Sequence, residues 1–394
     1  MDISTVQFAD RFDGISGSAI REIFKMLAVP GMISFAGGNP AAAALPDAQC
    51  AAIAQQVLLE KGKVLLQYGA TEGYAPLKEA LIPYIRDRFS FDVAMDELLP
   101  TTGSTQGMDL LCKALINPGD KIAIENPTFL GNMQCMHLYQ AQLIPVPSDD
   151  IGMDMAALEE VFRTEHPKML YVIPTFQNPT GRTLPLERRK KIAELASKYG
   201  VIIAEDDPYR DLRYTGEELP SIKSFDTEGW VAFMGSFSKV ISPGLRVGFL
   251  CANKALLRKC TIGKQSSDVH TSLLSQAIVD QYLRQDLLMP HVQQICSSYA
   301  LQCSTMLDKL SVCGGVKSFT RPEGGLFIWA ELNDGLNAKA LLDEAVKQLV
   351  AFVPGTHFFE GGGHENTLRL NFSMSPVADI VKGMDTLNQI FSKA

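Results

Sequence analysis

The sequence contains no CxxC pair, no HxxxH or HExxH spacing, no basic run longer than the four residues Arg188-Arg189-Lys190-Lys191, and no internal repeat. Nor does any stretch approach the ~18–20 consecutive apolar residues of a membrane span. Each absence excludes a class. Without clustered cysteines and histidines, no dedicated metal site is expected. Eight cysteines are present, but Cys50, Cys112, Cys135, Cys251, Cys260, Cys296, Cys303 and Cys313 are scattered. Most have apolar neighbours, as in Leu111-Cys112 and Leu250-Cys251, so packed, reduced thiols in a cytoplasmic protein are expected rather than a disulfide framework. The 36 Lys and Arg against 44 Asp and Glu leave a formal charge of −8. An acidic chain whose longest basic run is four residues is not expected to have nucleic acid as its main partner. The opening segment carries Asp2, Asp10, Arg11 and Asp13 and lacks an apolar core, so neither a secretory signal nor a membrane partner is expected.

What is present points to an α/β architecture. The chain exceeds the roughly 250–300 residues at which a single core stops growing, so one large unit and one smaller one are expected. Short apolar runs read as strands: Lys121–Glu125, Leu143–Val146, Met169–Ile173, Val201–Glu205, Trp230–Met234 and Val247–Cys251. Helical patterns lie between them, at Ser104–Ile116, Met155–Thr164, Leu186–Tyr199 and Lys254–Gly263. Nearly continuous apolar strands alternating with helices predict a mostly parallel sheet covered on both faces. Asn117-Pro118-Gly119-Asp120 and Tyr199-Gly200 supply the stops between elements. Past about residue 267 the texture changes. Long helices at Ser272–Gln285 and His291–Leu310 precede strands at Val316–Phe319, Leu326–Glu331 and Leu368–Phe372, with helices at Ala338–Leu349 and Pro376–Phe391. A smaller α+β unit is expected there.

Four segments where strands end carry the chemistry, because open α/β sheets bind ligands outside the carboxyl ends of their strands. Thr102-Gly103-Ser104-Thr105-Gln106-Gly107 opens a helix, which suits a phosphate; a plain N-cap at Ser104 would read the same. Pro174 to Gly181 contains Asn178-Pro179, either an ordinary turn or an amide placed to hold a ring oxygen. Ala204-Glu205-Asp206-Asp207-Pro208-Tyr209 follows an apolar strand that contains no Lys or Arg. A carboxylate there needs a cation, and a ligand with a protonated nitrogen would provide one. Finally, Gly235-Ser236-Phe237-Ser238-Lys239 precedes Pro243-Gly244-Leu245-Arg246-Val247-Gly248. A lysine among small residues at a strand end is a candidate Schiff-base nucleophile, and Arg246 adds charge for a phosphate.

In sequence, N-P-T-G, then D-x-x-Y, then S-x-S-K-x6-R-x-G resembles the pyridoxal-phosphate (PLP) aminotransferases of fold type I. Ser18–Ile23, Ser34–Pro40, Pro322–Phe327 and Thr367–Phe372 extend the likeness to the kynurenine/2-aminoadipate aminotransferase branch. That group also includes effector domains of transcription regulators. Little chain precedes the match here, so a DNA-binding regulator is not expected.

The resemblance implies specific roles. Lys239 would form the internal aldimine and carry the proton between substrate Cα and the cofactor. Asp206 would pair with the pyridinium nitrogen, and Tyr209 and Asn178 would hydrogen-bond the ring oxygen. Ser104, Thr105, Ser236, Ser238 and Arg246 would surround the phosphate. Phe129 would stack on the ring, at a position commonly Tyr in this branch. Arg369 would clamp the substrate carboxylate, with Asn178, Gly38 and Asn39 lining the substrate pocket. Tyr68 would reach a phosphate across a homodimer interface. Arg21 would stand near a distal carboxylate, or else serve only a structural role. Phe12, Ile15, Leu27 and Phe358 would alternatively make an apolar pocket.

The implied reaction is ping-pong transamination between an L-amino acid and a 2-oxoacid, with 2-oxoglutarate as one acceptor. A β-lyase or decarboxylase on the same scaffold is the alternative. The implied division is an arm at 1–44, a large PLP-binding domain at 45–285 and a small domain at 286–394.

Overall fold

The computed structural model describes residues 6–13, 15 and 29–393. A seven-stranded sheet organises the first part of the chain. Its strands are β1 (Leu98–Thr101), β2 (Lys121–Glu125), β3 (Gln142–Val146), β4 (Met169–Val172), β5 (Ile202–Asp206), β6 (Val231–Ser236) and β7 (Gly248–Cys251). Their spatial order is β1-β7-β6-β5-β4-β2-β3, and only β7 runs antiparallel to its neighbours.

Both faces of this sheet are covered, and the strand alternation shows how. Tyr171, Ala204 and Ala232 point into one apolar cluster, while Leu170, Val172, Ile203 and Val231 point into a second one. Side chains alternate along a strand, so a strand apolar at every position needs packing on both sides. Helices supply it. Helix Ser104–Leu115 buries Met108, Leu111 and Cys112, and helix Leu186–Tyr199 buries Ile192, Leu195 and Ala196.

A second sheet lies in the C-terminal part of the chain. Strands β8 (Val316–Phe319), β9 (Phe327–Leu332), β10 (Val353–Pro354) and β11 (Thr367–Asn371) are antiparallel, in the order β8-β9-β11-β10. Ile33–Ser34 pairs in parallel with Val350–Ala351, and Phe35 O accepts from Asn371 N at 2.7 Å. The N-terminal segment is thereby stitched to the later part of the chain. Among the described residues, no helix is long and apolar enough to cross a membrane.

Most expected elements are present, with ends displaced for local reasons. Val201 is outside β5 because its N–H closes the preceding helix onto Ala196 O, after Gly200 has turned to φ +69°. Helix Lys254–Ser267 continues past Gly263, which marks a close approach and not a stop: a Cβ there would lie 3.1 Å from Lys113 Cδ. The helix expected from His291 starts at Leu288, with Pro290 in its first turn, where no intrahelical N–H is needed.

Strand β1 and the helices Asp47–Leu65, Ala75–Phe89 and Leu130–Leu138 were not expected from the sequence. Pro100 argues against a strand and Pro83 against a helix. Pro100 is tolerated because β1 is an edge, pairing with β7 alone.

Candidate active site

A cavity of about 390 Å³ opens at the carboxyl ends of β4, β5 and β6. Asp206 and Ser236 end β5 and β6, and the loops after the three strands deliver Asn178, Tyr209, Ser238 and Lys239 to it. Ser104 and Thr105 enter from the first turn of helix Ser104–Leu115. Gly38, Asn39, Phe129, Arg246 and Arg369, also expected, line it as well.

Asp206 is 3% exposed. Its Oδ2 accepts from the Tyr171 hydroxyl at 2.9 Å and from Asn132 Nδ2 at 3.3 Å. Its Oδ1 is buried with no hydrogen-bond partner among the described residues. Burial pushes this carboxyl up to about 7, against the hydrogen bond from Tyr171. Glu205, one residue earlier, points to the opposite face and accepts from the backbone N–H groups of Ile222 and Lys223.

Across the cavity, Lys239 Nζ donates to Gly38 O at 2.7 Å. Burial, then the charges of Arg369 and Arg246, brings its amine down to about 8. A neutral amine is therefore accessible near neutral pH, as a nucleophile or base requires. Burial pushes the Tyr209 phenol up, so it stays a donor.

The phosphate-type corner is built around a glycine. Gly103, at φ +81°, caps the helix without a side chain, so Ser104 is a first-turn residue and not the N-cap. A Cβ on Gly103 would sit 2.3 Å from Arg246 Nη2. That guanidinium donates to Thr102 O at 3.1 Å and Ser238 Oγ at 3.2 Å, and the Ser236 and Ser238 hydroxyls are 3.1 Å apart. Arg246 itself is held at φ +53°, a costly conformation for a residue with a side chain.

Arg369, on β11, is 2% exposed. It lies over the Phe327 ring at 4.2 Å and the Phe358 ring at 5.0 Å. Its Nη1 donates to Asn178 Oδ1 at 2.8 Å and its Nη2 to Ala36 O at 2.6 Å, leaving Nε buried without a partner among the described residues. Phe129 precedes helix Leu130–Leu138 and folds back on Gly131, where a Cβ would meet its ring at 2.6 Å.

Tyr68 is not brought into the cavity: it is 82% exposed and meets only the edge of His270 in an aromatic contact. Phe12 is also exposed. Arg21 and Leu27 lie outside the described residues.

Tyr171, Asn132 and Phe327 were missed. Phe327 ends the run Pro322-Glu323-Gly324-Gly325-Leu326-Phe327, which gave the only signal that could have found it. Tyr171 and Asn132 sit within elements and carry no motif.

The description aminotransferase class I and II applies to the family model that matches residues 30–382. The chain belongs to this family. The aminotransferase is 40% identical over 387 residues to aromatic-amino-acid aminotransferase 1 of Thermococcus litoralis, covering 96% of this chain and 93% of that one. It is also 40% identical over 380 residues to the 2-aminoadipate transaminase of Thermus thermophilus, covering 95% and 94%. The structure of alpha-aminoadipate aminotransferase from Thermus thermophilus, solved with N-(5'-phosphopyridoxyl)-L-leucine, superposes with a TM-score of 0.91 at 39% identity, covering 98% of this chain and 97% of that one.

The enzyme is thus a pyridoxal-phosphate-dependent aminotransferase that acts on amino acids and oxoacids. The cavity fits the cofactor on physical grounds. The unpartnered Asp206 oxygen suits a protonated ring nitrogen, and the glycine-floored corner under Arg246 suits a phosphate.

Proposed function

We propose that this enzyme moves an amino group from an L-amino acid to a 2-oxoacid in a ping-pong cycle, with 2-oxoglutarate as one acceptor. The observation that carries this reading is the convergence of Lys239, Asp206 and Arg369 on one cavity. When bound, pyridoxal phosphate supplies a conjugated electron sink that makes the substrate Cα–H bond acidic.

This chain's residues do the rest. Lys239 Nζ is the covalent anchor and then the base at Cα, and its lowered basicity fits both tasks. Asp206 holds the ring nitrogen in its protonated form. Asn178 Nδ2 and the Tyr209 hydroxyl donate to the ring oxygen. Ser104, Thr105, Ser236, Ser238 and Arg246 hold the phosphate, and Phe129 packs on the ring.

Arg369 grips the substrate carboxylate and orients Cα–H toward Lys239. Its spare Nε and its contacts with the Phe327 and Phe358 rings support this role. Gly38 and Asn39 line the substrate side. The donors are aromatic amino acids and 2-aminoadipate, as the names of the two relatives suggest, with Arg21 meeting a distal carboxylate.

Exposed Tyr68 supports a homodimer in which it reaches the partner's phosphate. A large cofactor-binding unit at 45–285, with a smaller one from 1–44 and 286–394, accounts for the two sheets. Eight free thiols support a place in the cytoplasm.

Steady-state kinetics with a donor and 2-oxoglutarate test the cycle. Parallel double-reciprocal lines support it, and intersecting lines contradict it.

A further inference from the structure

We propose that Tyr171, with Asn132 beside it, is a positioning residue that keeps the proton shared by Asp206 and the cofactor on the ring nitrogen. The inference rests on the pairing of Asp206 with that nitrogen.

It starts from the sheet register. Parallel pairing sets Tyr171 on β4 opposite Ala204 on β5. Ala204 and Asp206 lie two residues apart and share a face. A phenol at Tyr171 therefore reaches along the sheet to the Asp206 carboxylate from below, on the side away from the cavity mouth. Both Tyr171 and Asn132 are essentially inaccessible to solvent. Their two donors converge on Oδ2, at 2.9 Å and 3.3 Å, and leave Oδ1 as the oxygen with no partner. The carboxylate is thus fixed in rotation and divided in function: one oxygen is held by the protein and one remains for the ligand.

The same contacts set where a shared proton resides. In an N–H···O pair the proton sits on the more basic atom. Donors to Oδ2 stabilise the ionised carboxylate and make it the weaker base. They act against the environment, because Asp206 is deeply buried and Asp207 adds a like charge beside it. Ser104 also helps the ionised form, while Glu125 stands near Tyr171 and Tyr209 near Asp206. The hydrogen bond from Tyr171 is the strongest influence that opposes burial. Its own phenol is pushed well above its ordinary range by burial and by Asp206, so it stays a donor.

Only the bonds to one proton change: the ring N–H bond breaks and an Oδ1–H bond forms, with no oxidation or reduction. One proton moves along the hydrogen bond, from ring nitrogen to Asp206 Oδ1, when the donors are removed.

The test is 15N NMR of the holoenzyme reconstituted with cofactor labelled at the ring nitrogen, at one fixed pH. In Tyr171→Phe the ratio of protonated to neutral ring should fall about tenfold, the effect of losing one charged hydrogen bond, so the resonance moves toward that of neutral pyridine. Asn132→Leu should move it the same way by less, and serves if Tyr171→Phe does not fold. Asp206→Asn should give the neutral position outright. If Asp206→Asn is neutral while Tyr171→Phe and Asn132→Leu coincide with the parent enzyme, the positioning role is overturned and the pairing of Asp206 stands. If Asp206→Asn keeps a protonated ring, the pairing fails, and the positioning role with it.

Discussion

Arg369 Nη1 donates to Asn178 Oδ1 at 2.8 Å, joining strand β11 of the four-stranded sheet to the loop after β4 of the seven-stranded one. The bond orients both partners. Asn178 spends its carbonyl on the arginine and keeps its amide N–H groups as donors. Arg369 is held by two acceptors and keeps Nε for a ligand.

A lysine cannot reproduce this geometry, since it offers a point charge in place of a planar fork. Arg369→Lys is expected to lower kcat/KM for amino-acid donors by about a hundredfold through lost bidentate contact. Cofactor affinity, measured by equilibrium dialysis, should change little. Equal losses in both would place Arg369 in the cofactor site instead.

Gly103→Ala tests the phosphate corner. The backbone conformation there is one that costs a residue with a side chain about 1–3 kcal/mol, and the new methyl would collide with Arg246. The variant should release PLP more readily while donor KM at saturating cofactor stays near normal. Unchanged PLP retention would show that Arg246 does not need this approach.

The pH behaviour of Lys239 follows from its depressed basicity. The amine is charged below about 8 and neutral above it. The rate at which apoenzyme captures PLP should therefore rise through that region and level off above. Arg369→Met should leave Lys239 a stronger base and move the midpoint to higher pH, because one of the cations opposing its charged form is gone. A midpoint that stays fixed would mean that Arg369 does not contribute to it.

Buried Glu125 gives a stability prediction. Its carboxyl is pushed up from 4.5 to about 8 by burial, opposed by hydrogen bonds from Ile173 N and Gln177. A group raised in the folded state stabilises fully below its unfolded pKa, and that stability is lost as pH rises through the folded value. Thermal stability of the parent enzyme should therefore decline across pH 4.5 to 8 in part through Glu125, and Glu125→Gln should flatten the decline. An unchanged slope in Tm against pH would contradict it.

Legibility in the sequence tracked how local each signal was. Residues in turns after apolar strands were readable, because strand ends are where such sheets present chemistry. The cavity accordingly gathers Asn178, Asp206, Lys239 and Arg246, whereas Arg369, inside strand β11, was reached only through the resemblance carried by Thr367–Phe372. Tyr171 and Asn132 were invisible: each looks like an ordinary core position, and only the register and the helix orientation aim them at Asp206. Edge strand β1 was hidden by Pro100, whose missing N–H matters only where a second neighbour exists. Helix Ala75–Phe89 was hidden by Pro83 in the same way, since tertiary packing of Leu77, Leu81 and Ile85 overrides the local cost.

The most direct measurement of the central claim is a single-turnover survey of purified holoenzyme with the twenty L-amino acids and 2-aminoadipate, following the cofactor spectrum and the released product. The account predicts that aromatic donors and 2-aminoadipate convert the cofactor to its amine form, with one 2-oxoacid released per site, and that added 2-oxoglutarate reverses the change. A cofactor spectrum unchanged by every donor, or pyruvate and ammonia released without the amine form, would contradict it.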